Sequence, residues 1–260
     1  MVDEATSRGL TATIKDAERR LAVAEELIAH IEQRIPDLTS RPDLMPRQFA
    51  AVALARCCRL YRAIRALNRA DMMDVCSLPV RPLYEAMLIG YYTLYGGDEA
   101  YDIVRGAYIR ELRLLPQAAR EGSTLTDDWT GPADKIRWEN LGRTVGKLLE
   151  EEAGMAEATA FLTSWYDLLY RKESMNSIHA GVGSLGLHVT HSSERVGATV
   201  VGHPVDVDGT GPVLVAAGLI GLLAGHVLKV FGFSNELVVS LYEDLNLGAD
   251  EVKLAVNDPA

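Results

Sequence analysis

Two short segments set strongly polar groups inside apolar helical runs: Arg81-Pro-Leu-Tyr-Glu85 and Ser174-Met-Asn-Ser-Ile-His179. Arg81 and Glu85 stand four apart, so on a helix they share a face and can pair. Leu83, Met87, Leu88 and Ile89 surround them, and Tyr84, Tyr91 and Tyr92 supply hydroxyls. The pair is expected to face inward, where a guanidinium fork on a carboxylate is strong and directional. His179 is expected at the end of a helix that begins near Met155, with Ser174, Asn176 and Ser177 just ahead of it. A neutral histidine beside a carboxylate can move a proton near pH 7; at a helix C-terminus it can equally cap carbonyls.

A catalytic site built from these groups would use His179 as acid or base and Arg81 to stabilise anionic charge. Glu85 would orient one of them. Tyr92 and Ser174 are candidate ligand contacts beside it. The structural alternative is that Arg81 and Glu85 neutralise each other and hold the core, because a buried charge is costly unless paired.

A second polar group is a ridge of arginines. Arg56, Arg59, Arg62, Arg65 and Arg69 recur at three- and four-residue spacing, and Arg62, Arg65 and Arg69 fall within a narrow arc of a helix. The ridge is either a solvated face balanced by acidic neighbours or a set of phosphate contacts for RNA or a nucleotide. His188 and His191, with His203, Asp206 and Asp208 beyond, make only a weak metal pattern, since zinc wants three or four convergent ligands. No metal and no cofactor is expected.

The elements that must position these residues are helices. Hydrophobic residues make up 48% of the 260 and charged residues 24%, an ordinary globular composition able to bury a core. The net charge of −10 argues against a generally basic surface for nucleic acid or anionic membrane, though it leaves room for a local basic groove. Three cysteines, two of them adjacent at Cys57 and Cys58, form no disulfide framework and point to the reducing cytosol. The opening MVDEATSRG is acidic and lacks a signal-peptide pattern. Residues 213–228 are apolar but shorter than the usual span, so a buried core helix is expected there and no membrane contact.

Leu10, Ile14, Ala17, Leu21, Ala24, Ile28, Ile31 and Ile35 form a heptad seam, and Pro36 is expected to stop that helix. The seam packs along its own bundle or pairs two copies into a homodimer. Further helices are expected over about 47–69, 71–95 with a kink near 80–82, 98–120, 132–153, 155–180 and 212–233, and a shorter one after Ser234. Gly221 and Gly225 with Ala217 would let a neighbouring helix approach closely. Residues 186–208 are rich in glycine and β-branched residues and read as a small β-hairpin insertion. The expected architecture is an all-α bundle of about seven or eight helices. It divides into an N-terminal heptad helix (1–36), a bundle (42–247) and a tail (248–260).

Arg81-Pro-Leu-Tyr-Glu85-Ala, Tyr92, and Tyr170 through Ser174 to His179 and Gly181 together resemble a bacterial domain-of-unknown-function family, number 5677. The resemblance covers about residues 50–240 and implies a helical bundle with a polar site and no established reaction. The helical texture also resembles the HEPN superfamily, many of whose members are ribonucleases in toxin and defence systems. Their hallmark is arginine, four to six residues, then histidine. Here Arg171 and His179 have seven residues between them, and Lys172 meets the spacing without being arginine.

Overall fold

The computed structural model describes residues 4–40, 47–72, 75–114, 131, 136–169, 189–191, 198–200 and 210–245, with side chains from residue 16 onward except in the strands. Its helices are α1 (Glu4–Thr39), α2 (Gln48–Arg69), α3 (Val80–Tyr95) and α4 (Gly97–Leu114). After these come α5 (Trp138–Glu152), α6 (Ala158–Asp167), α7 (Thr210–Val230) and α8 (Glu236–Asp244). Two three-residue strands, β1 (Val189–His191) and β2 (Ala198–Val200), pair antiparallel with Val189 opposite Val200. The described residues do not extend to a hairpin insertion across 186–208. Apart from that pair of short strands, the described elements are all helices.

The apolar run at 213–228 becomes the hub. Every residue of α7 from Val213 to Leu228 is buried except Val215, because α1, α2, α3 and α8 all pack on it. A helix that is apolar all round needs such an environment. It is long and apolar enough to cross a bilayer, and 83% of its most apolar window is buried inside the protein.

α1 lies along α2, α7 and α8 of its own chain. The seam residues Ala24, Ile28 and Ile31 are buried as a stripe, widened by Leu27 and Leu38. Pro36 does not stop this helix, which continues through it to Thr39. Leu38 is fully buried, and the Thr39 hydroxyl and Ser40 amide close on the carbonyls of Ile35 and Pro36, so one more turn is worth keeping.

The expected third helix over 71–95 is instead a stop and a restart. Asp71 takes φ 60, the Met72 amide donates to Leu67 O and the Asp71 amide to Asn68 O. That is the left-handed closing turn usually built on glycine, with aspartate tolerated there. α3 starts only at Val80, so Pro79 and Pro82 sit at its N-terminus, where their missing amides cost nothing. Gly97, at φ 64, turns the chain straight from α3 into α4. Gly232, at φ 77, closes α7 with Phe233 N–H on Leu228 O, three residues before the expected end. The expected helix over 155–180 is described as α6 and its extension to Leu169, and its remainder, with the expected tail, lies outside the described residues.

Candidate functional site

α3 carries the site because its faces divide cleanly. Leu83 and Tyr84 are fully buried, and the Tyr84 hydroxyl donates to the Leu162 carbonyl of α6 at 2.7 Å, tying α3 to the α5–α6 pair. Arg81 and Glu85 lie on the neighbouring face. The guanidinium Nε donates to Glu85 Oε1 at 3.2 Å, and the side chains keep 29% and 21% of their surface exposed. The inward expectation is half met: the pair sits at the edge of the core, not within it. A guanidinium there is oriented by the Glu85 carboxylate and still reachable from solvent, which is what anion binding requires.

Tyr92 follows on the same side of α3 and is half-buried, with its hydroxyl pushed up by burial and by Glu99. It stands eleven positions along from Arg81, about 16 Å on a helix, so it does not join the ion pair. His179 and Ser174 lie outside the described residues, as do His188, His203, Asp206 and Asp208. Among the described residues no group of histidine, cysteine, aspartate and glutamate side chains could hold a metal ion.

The arginine ridge forms on α2 and is met by α1. Arg62 forks onto Glu32, with Nη2 at 2.6 Å and Nε at 3.2 Å, and its Nη1 reaches Glu25 at 2.8 Å. Arg65 Nε and Arg69 Nη2 both donate to Glu25 Oε1, at 2.8 and 3.1 Å. Arg65 also holds Asn68. The hydrogen bond to Glu32 raises the pKa of Arg62. Beside the ridge the Tyr61 hydroxyl is fully buried, has no hydrogen-bond partner among the described residues, and is pushed up by burial and then by Glu25.

One polar centre went unassigned in the sequence. His226, the polar residue of the apolar run, is 6% exposed, and its Nδ1 lies 2.6 Å from the Tyr95 hydroxyl of α3. Tyr91 and Tyr95 stand edge-on to its ring. Burial, then Lys229, lowers its pKa to about 4. A lone polar residue in an apolar stretch was the available signal, but its partner could not be read from spacing.

No curated protein and no solved structure matches this chain. A family profile does match, over residues 48–196, a span that opens with α2 and takes in the arginine ridge and the Arg81–Glu85 pair. α1, with Glu25 and Glu32, and α7, with His226, fall outside it. Since the match covers more than half of the 260 residues, the chain belongs to a family of unknown function, DUF5677.

Proposed function

We propose that this chain is a HEPN-like factor that binds and processes RNA or a nucleotide through its phosphate groups. The observation that carries the reading is the Arg81–Glu85 pair, in which an oriented guanidinium keeps 29% of its side chain in contact with solvent. In RNA cleavage the 2′-hydroxyl attacks the adjacent phosphorus and the 5′-oxygen leaves, so a proton must be taken from one oxygen and given to the other. His179 is assigned to that proton transfer, and Arg81 to the negative charge that builds on the phosphoryl oxygens. Glu85 fixes the direction of the guanidinium. The same reading places the protein in the cytosol without a membrane span, supported by the burial of α7 and by three free thiols.

The test is cleavage of a labelled single-stranded RNA by the purified chain and by His179→Ala and Arg81→Ala. Loss of cleavage in both, with melting temperatures close to that of the unaltered chain, supports the assignment. Cleavage at an unchanged rate in His179→Ala, or none by the unaltered chain, overturns it.

A further inference from the structure

The contact between α1 and α2 is oversupplied with positive charge. Glu25 offers two oxygens and one negative charge, yet Arg62, Arg65 and Arg69 all donate to it. Glu32 offsets part of this by taking the remaining fork of Arg62, which among the described residues leaves three guanidiniums against two carboxylates. The buried Tyr61 hydroxyl, with no hydrogen-bond partner among the described residues, flanks the same cluster, and the Arg62 guanidinium lies 6.0 Å from the centre of its ring. Three converging guanidiniums and a spare hydroxyl suit a group with more acceptor oxygens and more charge than a carboxylate carries. A phosphate is such a group.

The two halves of the contact also differ in where they come from. The arginines lie within the stretch that defines the family, whereas Glu25 and Glu32 belong to α1, outside it. α1 does not depend on Glu25 to stay in place. Ala24, Leu27, Ile28 and Ile31 are buried beside it, while the Glu25 side chain is 24% exposed and has solvent to swing into.

We propose that Arg62, Arg65 and Arg69 form a phosphate-binding cradle whose occupant in this state is the Glu25 carboxylate, a built-in competitor that the phosphate of RNA or of a small molecule must displace. This rests on the reading of the chain as a phosphate-binding protein and adds to it a second contact point and its regulation. α1 stays docked through its apolar stripe while the carboxylate rotates out. Binding at the cradle is therefore opposed by the chain itself, and a change that neutralises Glu25 releases it.

The experiment is calorimetric titration of the full chain and its Glu25→Gln variant at fixed ionic strength, first with inorganic phosphate, then with a short single-stranded RNA lacking terminal phosphates. Glu25→Gln is expected to bind about tenfold more tightly, the worth of one competing charge-assisted contact. Adding Arg69→Gln, at the most exposed of the three arginines, should remove that gain without unfolding the chain. A gain with phosphate alone assigns the cradle to free phosphate; a gain with RNA as well assigns it to the backbone. Equal affinities in the unaltered chain and Glu25→Gln, or a gain that survives Arg69→Gln, overturn the proposal and leave a purely structural clasp. The two readings fail separately. Absent RNA cleavage with a Glu25→Gln gain removes the ribonuclease assignment alone, whereas intact cleavage without the gain removes the cradle alone.

Discussion

Tyr95 and His226 join α3 to α7 through a hydrogen bond of 2.6 Å between the tyrosine hydroxyl and Nδ1. The same two helices also meet through apolar groups, with Gly90 close against the Leu223 side chain. The other ring nitrogen, Nε2, is buried with no hydrogen-bond partner among the described residues. That arrangement disfavours an imidazolium: the ring is buried, the hydroxyl is a weak acceptor, and the Lys229 cation lowers the pKa further. The histidine is therefore held neutral by its surroundings.

This sets a pH dependence of stability. His226 has a folded pKa of about 4 against an ordinary value of 6.5, so below pH 6.5 the unfolded chain binds the extra proton. The stability that neutral His226 confers is complete above pH 6.5 and is lost as pH falls from 6.5 toward 4. At 1.36 kcal/mol per pH unit, the loss by pH 5 amounts to about 2 kcal/mol. Urea unfolding of the unaltered chain and of His226→Leu at pH 7.5 and pH 5 checks this. The variant should start less stable and lose about 2 kcal/mol less over the interval; equal losses would contradict the account.

Periodicity revealed the helices because apolar positions must face the core, and α2 and α7 came out close to their expected limits. The ends were harder. Asp71 and Gly232 stop α2 and α7 by adopting positive φ, a property of one backbone position that no repeat of side chains announces. At the candidate site, Arg81 and Glu85 were readable because four residues on one helix fix their relation. The partners of Arg62, Arg65 and Arg69 were not, since Glu25 and Glu32 lie 30 to 44 residues away and look like part of a solvated face. Tyr95 and His226 are 131 residues apart, and only the packing of α3 on α7 brings them together.

The three thiols should be inert in the folded protein. Cys57, Cys58 and Cys76 are each no more than 1% exposed. Burial pushes the Cys76 thiol up to about 11 and the Cys58 thiol to about 12, with Cys57 higher still. The reactive thiolate is then scarce at pH 8 and out of reach. An aromatic disulfide reagent should label none of them in the native protein and all three in denaturant, and rapid native labelling of any one would refute this burial.

Tyr84→Phe isolates the bond that ties α3 to α6. The substitution keeps the ring and removes the hydroxyl that donates to Leu162 O. A buried hydrogen bond of this kind contributes about 1 kcal/mol, so the urea midpoint should fall while the slope stays constant. A midpoint unchanged within error would mean that the Leu162 carbonyl is satisfied without it.

Two glycines predict opposite responses to the same added methyl. A Cβ on Gly146 of α5 would run into the Thr159 Cα and stand 2.8 Å from its amide nitrogen, atoms of the α6 backbone that cannot turn aside. Gly146→Ala must push the two helices apart, at a cost of about 1–3 kcal/mol, more than the gain in helix propensity. At Gly225 in α7 a Cβ would meet no atom of the described residues within 4 Å, although the residue is buried. Gly225→Ala should therefore keep the propensity gain and stabilise the protein by up to about 1 kcal/mol. Thermal melts of the two variants decide the matter. A stabilised Gly146→Ala would show that α5 and α6 are not in backbone contact, and a destabilised Gly225→Ala would show that the space beside α7 is filled.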